Sequence, residues 1–476
     1  MIKRVGIILG VALLGTFLFL AGGLDAGFLA GALAAVALLA LVLLHRDGAA
    51  WGVALLLPVA VLTNFADIQV SGLPLLESPR SVYMLLLCLA LGARHALRGR
   101  PVRVPAEARP FLVFLAILLL TVPFSQNPYK SLGFFVKTFL LVGAVFTFAL
   151  DVFEDPKGRE VFERTLVALA ALVFLFGLYQ FATQSLGFGE EWRSRATLEE
   201  LRSFQILRVP SFFATTYVTS EFYFLLIPFF LVKSEGESSR RARLLWRGAV
   251  ALLAFGVLLT QQRSGIAIVL IQVVAFKAME KPERSFKRVI KAGVTVAAIG
   301  ILAVVVLSQT EFGLGLFERM QATFKADSLT DVQDAGSTLV RLQRMFIAWL
   351  IFQDHVVTGV GIGLSPLVYP GYGWNWLQFD GGAHNVFLYL LSESGIIGLA
   401  GFLYCFWRYL RTFASRLQSS VGEGRRFWVG SIVFTVSLLL DGMFSGLWSY
   451  PSLIFIALGF AYTQRRMSAH PIAEAG

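Results

Sequence analysis

The sequence predicts an all-α, polytopic integral membrane protein, and three observations support this fold class. Of the 476 residues, 57% are hydrophobic and only 15% are charged. Apolar stretches long enough to cross a hydrocarbon core of about 30 Å as helices recur from one end of the chain to the other. The alternation of apolar and polar residues that marks the strands of a membrane barrel is absent. We therefore expect about 12–14 transmembrane helices and no transmembrane strands.

The apolar stretches define the candidate spans. The first follows Lys3 and Arg4 in the manner of a signal peptide, but the second begins at once without a convincing cleavage site, so we interpret the first as a retained helix. The candidate spans are residues 5–23, 26–44, 51–67, 80–97, 110–124, 131–150, 163–182, 213–232, 247–262, 264–279, 290–308, 386–407, 427–446 and 450–464.

Basic residues are unevenly distributed over the loops between these spans. If successive loops alternate between the two sides, every dense cluster of Lys and Arg falls on one side, which the positive-inside rule makes cytoplasmic together with both termini. This topology explains the formal charge of +11, so we predict no nucleic-acid partner. Cys88 and Cys405 fall inside predicted spans and indicate packing rather than a disulfide framework. The basic clusters lie at residues 94–109, 233–247, 277–291, 408–426 and 465–466.

Two long loops, residues 183–212 and 309–385, lie on the opposite, outer side of the predicted topology. The second is about 75 residues long, and loops of that length usually carry function. Within it, apolar residues recur at helical spacing from about 337 to 353, with Arg341 and Arg344 three residues apart. This pattern predicts a helix that lies in the membrane interface.

In a chain with so few charged residues, ionisable residues at the outer ends of the spans are candidates for a functional site. Arg263 lies in the tight outer turn 258–265, and Arg208 lies at the outer mouth of the span that follows it. The structural alternatives are an arginine that reaches lipid headgroups, for Arg263, and a solvated loop arginine, for Arg208. His384 directly precedes the helix that starts at residue 386; a satisfied polar histidine is the alternative, and His355 is its competitor on the outer side.

Two arginines and one histidine on one face indicate chemistry at a diphosphate. The planar guanidinium stays charged and binds two oxygens at once, and a histidine beside it can deprotonate an attacking hydroxyl. No carboxylate cluster or histidine motif on this face is spaced for a divalent metal; Asp327, Asp331 and Asp334 are loosely spaced. We therefore predict a site without a metal ion or cofactor.

The segment that follows Arg341 resembles the C-terminal signature of the bacterial O-antigen ligase and O-antigen polymerase family. The turn 260–265 is similar to that family's threonine, serine, arginine element, with Gln262 where serine is common. The stretch 208–213 is similar to its upstream arginine loop, with Pro210 and Ser211 in place of glycine and threonine. The residues that carry the signature are Arg341, Trp349, Asp354, the run 359–363 (GVGIG), the run 384–389 (HNVFLY) and the run 393–399 (ESGIIGL).

The resemblance implies a GT-C-like membrane glycosyltransferase, which transfers a glycan from an undecaprenyl-diphosphate carrier on the outer face of the bacterial inner membrane. His384 would be the general base, and Arg208 and Arg263 would hold the diphosphate. Arg341 would contact acceptor or phosphate. The expected mechanism is metal-independent and inverting, and the acceptor would be a lipid A core or a second lipid-linked glycan, with protein as a further alternative.

On this interpretation the chain divides into N-terminal helices with the first outer loop (1–204), a catalytic transmembrane region that includes the loop 309–385 (205–464), and a cytoplasmic tail (465–476). The resemblance covers about residues 205–460. We expect Asn385 to be a turn residue or to cap the helix that follows it. Glu393, about 13 Å along that helix at 1.5 Å per residue, should stabilise packing rather than touch substrate.

A polytopic transporter or flippase of a lipid-linked glycan is the alternative from another functional class. Many helices around a basic cavity would also suit the movement of an anionic lipid, and Glu221, Asp441 and Asp67 fall within or near predicted spans. Transporters, however, tend to carry their charges at mid-membrane, whereas the candidate residues here lie at one rim.

Overall fold

The computed structural model describes residues 37–65, 79–99, 104–187, 207–213, 215–280, 338–372, 383–443 and 450–468. Every regular element within these ranges is helical, and seven helices in them are long and apolar enough to cross a membrane. The prediction of an all-α polytopic membrane protein is therefore confirmed. The predicted spans 5–23 and 290–308, most of the span 26–44, and Asp67 lie outside the described residues.

The helices follow the predicted spans closely, because both are determined by stretches of apolar residues. In chain order they are α1 (Gly48–Phe65), α2 (Pro79–Leu97), α3 (Arg109–Thr121), α4 (Pro128–Phe135), α5 (Leu141–Val152), α6 (Pro156–Thr183), α7 (Thr216–Gly236), α8 (Arg240–Leu259), α9 (Arg263–Met279), α10 (Thr338–Asp354), α11 (Ser365–Val368), α12 (Val386–Gln418), α13 (Gly422–Gly442) and α14 (Tyr450–Ser468).

Two features of these helices depart from simple apolar spans. A short π-helix, Val136–Leu140, joins α4 to α5. Helix α12 continues to Gln418, well beyond the predicted end at residue 407, and is broken at Gly395, whose φ of 64° and ψ of −166° lie outside the helical region. Helix α12 is therefore two helical segments that meet at one glycine.

The chain packs as two units. The first consists of Met1–Leu115, Gly133–Leu172 and Tyr450–Ala473. In it α1, α2, α5 and α14 pack against one another. Arg94, near the end of α2, donates hydrogen bonds to the carbonyl oxygens of His45, at 3.1 Å, and Arg46, at 2.7 Å. A buried arginine thus satisfies carbonyls at the end of a neighbouring helix.

The second unit consists of Ala116–Leu132, Val173–Ser449 and Glu474–Gly476, and it contains every predicted site residue. Helix α7 is almost entirely buried and packs against α8, α9 and α13. Helix α12 packs against α10 and α13. The division at residue 204 proposed from the sequence concerns function rather than packing, and it stays a prediction.

Basic residues of this unit meet at one end of its helices. Lys277, near the end of α9, lies 2.5 Å from Glu235, near the end of α7, and Arg247 lies 2.9 Å from the same carboxylate. Arg425, at the start of α13, donates to the carbonyl oxygen of Met279 at 3.1 Å. The other ends of α7 and α9, where both helices begin, lie at the candidate site. At 1.5 Å per residue they are about 25–30 Å from these basic residues.

Candidate functional site

Arg208 lies in a short segment that is fixed to the end of α6. The backbone N–H of Leu207 donates to Gln184 Oε1 at 2.8 Å. The backbone N–H of Ser211 donates to Gln180 Oε1 at 2.8 Å, and its hydroxyl donates to the carbonyl of Val173 at 2.6 Å. These bonds hold the segment in one conformation against the helix. They leave Arg208 buried, with only 2% of its surface exposed.

Thr216, the first residue of α7, joins Arg208 to the turn that precedes α9. Its Oγ1 accepts a hydrogen bond from Arg208 Nη2 at 2.8 Å and another from Gln262 Nε2 at 2.7 Å. Thr216 is 1% exposed, so both bonds lie away from solvent. One hydroxyl therefore connects two of the three segments that the sequence selects.

Arg263 is the first residue of α9, directly after Gln262. A helix N-terminus carries partial positive charge, so an arginine there opposes the helix dipole. Helix α9 also approaches α7 very closely, since a Cβ on Gly265 would lie 2.0 Å from Ser220 Oγ. The position of Arg263 is thus fixed by packing and is electrostatically unfavourable until an anion binds nearby.

His384 lies in a bend directly before α12 and is hydrogen-bonded to an arginine. Nη1 of Arg344, on α10, lies 2.7 Å from Nε2 of His384. Asn385 caps α12, because its Oδ1 accepts from the backbone N–H groups of Phe387 and Leu388, each at 3.0 Å. Asn385 Nδ2 also donates to the carbonyl of Met443 at 3.0 Å, beyond the end of α13. The predicted cap is confirmed, and it fixes the backbone beside His384.

Arg341 interacts electrostatically with both parts of the cluster, with Arg263 on one side and with Arg344 and His384 on the other. It repels Arg263 and also Arg344, which lies three residues further along α10. Arg341 likewise acts on His384. The structure therefore brings all four residues predicted from the sequence into one cluster, Arg208, Arg263, Arg341 and His384, and adds Arg344, Thr216 and Gln262 to it.

The electrostatics of the cluster keep its histidine neutral. Burial, then Arg344, then Arg341 lower the pKa of His384 to about 3. Burial also lowers the pKa of Arg344; Tyr369 acts in the opposite direction, and Arg341 lowers it further. Buried like charges destabilise one another, so this site favours the binding of an anion.

Three residues of the site have left-handed backbone conformations, which non-glycine residues seldom adopt. Ser211 has a φ of 49°, Gln261 of 54° and His384 of 49°. Each lies in a different one of the three segments. Such a conformation costs roughly 1–2 kcal/mol per residue and persists only where surrounding contacts enforce it. Strain of this kind is concentrated at functional sites.

The glycine-rich run 359–363 is built into the break of α12. The backbone N–H groups of Val360 and Gly361 donate to the carbonyls of Ser392 and Glu393, each at 2.9 Å. In return, Ile396 N–H donates to the carbonyl of Val356 at 2.9 Å. The run thus replaces the hydrogen bonds that the helix loses at Gly395, as a membrane requires of buried backbone.

Two glycines and one glutamate make this junction possible. A Cβ on Gly359 would lie 2.3 Å from the carbonyl carbon of Glu393, and one on Gly395 would lie 2.1 Å from the carbonyl oxygen of Val357. The buried carboxylate of Glu393 accepts from the N–H groups of Gly363, at 2.7 Å, and Ser365, at 3.1 Å. Glu393 therefore stabilises packing, as the sequence predicts.

Three helices begin at the cluster: α7 at Thr216, α9 at Arg263 and α12 at Val386. Because each helix N-terminus adds partial positive charge to that of the arginines, the arrangement is suited to an anion with several oxygens, such as a diphosphate. Within the described residues no group of three or more His, Cys, Asp or Glu is placed to hold a metal ion. The loosely spaced Asp327, Asp331 and Asp334 lie outside those residues.

His355, the competing histidine, does not contact the arginines through any hydrogen bond in the described residues. Its Nε2 lies 3.3 Å from Gln126 Nε2, and its backbone N–H continues the end of α10. The adjacent Asp354 accepts a hydrogen bond of 2.6 Å from the hydroxyl of Tyr372.

Sequence reasoning missed Arg344 as a site residue because its spacing from Arg341 indicated only a helix face. That helix exposes Leu342, Phe346 and Trp349 while Arg344 is 3% exposed. The burial of Arg344 becomes visible only in the folded structure, where a buried arginine requires a partner, and the sequence carries no signal for it.

Residues 248–403 match the family model described as O-antigen ligase. The match covers about one third of the chain's 476 residues, and it includes Arg263, Arg341 and His384 but not Arg208. No curated protein matches the chain. The resemblance inferred from the sequence motifs is confirmed for this segment: the chain is a multi-pass membrane protein, and the region that is similar to the O-antigen ligase family contains most of the cluster.

Proposed function

We propose that this protein is a membrane glycosyltransferase of the O-antigen ligase or polymerase type, which transfers a glycan from an undecaprenyl-diphosphate carrier to a sugar hydroxyl. One observation carries the proposal: a neutral histidine and four arginines form a single cluster where three helices begin. The family match over residues 248–403 supports the same class of reaction.

Arg208 and Arg263 would bind the diphosphate of the donor. The guanidinium of Arg208 is held by the hydroxyl of Thr216, and the same hydroxyl holds the side chain of Gln262, the residue that directly precedes Arg263. A guanidinium forms paired, charge-assisted hydrogen bonds to phosphate oxygens. Arg341 is the third cation and would contact either the diphosphate or the acceptor.

His384 would act as general base. The acceptor hydroxyl loses its proton to Nε2 while its oxygen attacks the anomeric carbon of the donor sugar. The bond from that carbon to the diphosphate oxygen breaks, and its electron pair leaves on the lipid diphosphate, whose charge the arginines stabilise. This single displacement inverts the anomeric configuration. It requires no covalent intermediate, metal ion or cofactor.

We place the site on the outer face of the bacterial inner membrane, with both termini in the cytoplasm. The support is the separation within the second unit: Arg247, Lys277 and Arg425 lie at the ends of α7, α9 and α13 remote from the cluster. Since the positive-inside rule assigns such clusters to the cytoplasm, the arginine and histidine cluster would be periplasmic.

The acceptor decides between the members of the reaction class. Purified protein is incubated with lipid-diphosphate oligosaccharide, with and without a lipid A core acceptor, and the products are separated by size. A ladder from donor alone identifies a polymerase, and one shifted acceptor band identifies a ligase; glycosylated protein would identify the third alternative. No new glycosidic bond under any of these conditions would contradict the proposal.

A flippase of a lipid-linked glycan is the second candidate, and two buried carboxyl groups favour it. Glu221 in α7 is fully buried, and Asp441 in α13 is 1% exposed and accepts a hydrogen bond from Tyr217 at 3.1 Å. Acidic residues inside spans often mark transport pathways. In proteoliposomes, a flippase would move fluorescent lipid diphosphate between leaflets without forming a glycosidic bond.

A further inference from the structure

The hydrogen bond between Arg344 and His384 occupies the nitrogen that a general base would use. Arg344 Nη1 lies 2.7 Å from His384 Nε2. Because a guanidinium has donors but no acceptor, Nε2 must accept, and the proton of the neutral ring lies on Nδ1. A lone pair engaged in this way cannot take a proton from an acceptor hydroxyl. In the free protein the base is therefore blocked.

We propose that Arg344 couples donor binding to base activation: it moves from His384 to the diphosphate of the incoming donor and thereby frees Nε2 only when the leaving group is in place. This inference rests on the proposed role of His384 as base. It assigns to Arg344 a function that neither the sequence motifs nor the family match provides.

The exchange is favourable because a diphosphate is a better partner for Arg344 than a neutral imidazole. Arg344 is 3% exposed and is repelled by Arg341 on the same helix. The bond from Arg344 to the imidazole already has a charged donor, but a diphosphate oxygen also carries negative charge, which adds Coulomb attraction to the hydrogen bond. An anion near both arginines would relieve their repulsion.

The same event strengthens the base. In the free protein Arg344 and Arg341 both disfavour the protonated form of His384. Of the neighbouring elements, Tyr369 faces Arg344, Glu393 of α12 acts on Tyr369, and Asp441 of α13 is bonded to Tyr217. A donor that neutralises the two arginines removes this opposition, so His384 can accept the proton as the glycosidic bond to the diphosphate breaks.

The pH dependence of kcat/KM tests the coupling, because it reports groups of the free enzyme. We expect wild-type kcat/KM to show no acidic limb from His384 between pH 8 and pH 5, since the histidine stays neutral there. Arg344→Gln removes one of the three causes that lower the pKa of His384 and leaves burial and Arg341, so the pKa should rise and an acidic limb of kcat/KM should appear at a higher pH than in wild type. Leu342→Gln, an exposed neighbour on α10, should keep the flat profile.

A uniform loss of rate at every pH in Arg344→Gln, without a new acidic limb, would show that Arg344 only supports packing and would overturn the coupling. If Arg344→Gln is too inactive for a pH profile of kcat/KM, the rate of carbethoxylation of His384, followed by mass spectrometry, is measured in place of turnover. Nε2 should react faster at pH 7 in the variant than in wild type, because its lone pair is released; equal rates would contradict the proposal.

His384→Gln separates the two hypotheses. If that variant still transfers glycan, the role of His384 as general base fails, and the coupling proposed for Arg344 fails with it. If His384→Gln is inactive but Arg344→Gln has the wild-type profile, the base survives as a proposal and only the coupling is lost. Arg344→Lys retains a charge but lacks the fork, so it should lower kcat without creating the acidic limb.

Discussion

Arg344 donates a 2.7 Å hydrogen bond to Nε2 of His384, from a helix that lies 40 residues earlier in the chain. The bond fixes which nitrogen of the ring is protonated, while burial, then the charge of Arg344, then that of Arg341 lower the pKa of the histidine to about 3. A histidine with an ordinary pKa near 6.5 in the unfolded chain is thus held neutral in the folded protein.

We predict that this histidine makes the folded protein less stable in acid. Between pH 6.5 and about 3 the unfolded chain binds a proton at His384 that the folded protein does not, so stability falls as the pH falls through that window, by up to about 1.4 kcal/mol per pH unit. Thermal unfolding in detergent at pH 7 and pH 5 measures it. The drop in Tm should be smaller in His384→Gln; an equal drop in both proteins would refute the prediction.

Replacement of His384 by Gln should abolish glycan transfer while the protein stays folded and still binds lipid diphosphate. The reason is that Gln keeps a polar side chain but cannot take the proton of the acceptor. Turnover and donor binding are measured on the same preparation. His355→Gln is the matched control, because this histidine contacts Gln126 instead of the arginines. Full turnover in His384→Gln would rule out the base.

Arg263→Lys should reduce kcat/KM by roughly 100-fold, because a lysine keeps the charge but loses the planar fork that binds two phosphate oxygens. The assay is steady-state transfer from lipid-diphosphate donor. Arg240→Lys, at the exposed start of α8, should behave like wild type. If Arg263→Lys were fully active, the arginine would serve only as an anchor to lipid headgroups.

Thr216→Val should lower both stability and donor affinity. Valine has the shape of threonine but no hydroxyl, so Arg208 and Gln262 would lose a shared acceptor in a buried place, at roughly 1–3 kcal/mol for each unsatisfied group. Thermal unfolding and lipid-diphosphate binding are the measurements. The exposed Thr412, whose hydroxyl bonds only within α12, provides the control Thr412→Val. Unchanged affinity in Thr216→Val would mean that Thr216 does not organise the arginines.

Gly395→Ala should destabilise the junction between α12 and the glycine-rich run. The φ of 64° is unfavourable for alanine, and the added Cβ would lie 2.1 Å from the carbonyl oxygen of Val357. We expect a loss of several kcal/mol, seen as a lower Tm in detergent. Nothing lies within 4 Å of a Cβ added at Gly371, so Gly371→Ala should leave Tm nearly unchanged. A wild-type Tm in Gly395→Ala would contradict the description of the junction.

Hydropathy alone predicts most of the helices in this chain, because a lipid-exposed helix must be apolar over its whole length. The break at Gly395 and the short π-helix at Val136–Leu140 were not predicted, since each depends on partners distant in sequence. The segments around Arg208, Arg263 and His384 were found because charge is rare at span ends. Arg344 was not, because its burial against His384 arises only when α10 folds over the start of α12.

The left-handed backbone costs stability at Ser211, Gln261 and His384, yet these residues form part of the site. Selection for thermostability and selection for catalysis therefore conflict at the site. Glycine at Gln261 or His384 would relieve the backbone, yet it would remove a side chain or loosen a segment that positions an arginine. Glycine at Ser211 would relieve the backbone too, but it would also remove the buried hydrogen bond to the carbonyl of Val173. A laboratory screen for heat-resistant variants should therefore enrich Gln261→Gly or His384→Gly rather than Ser211→Gly and recover proteins that fold well and transfer poorly.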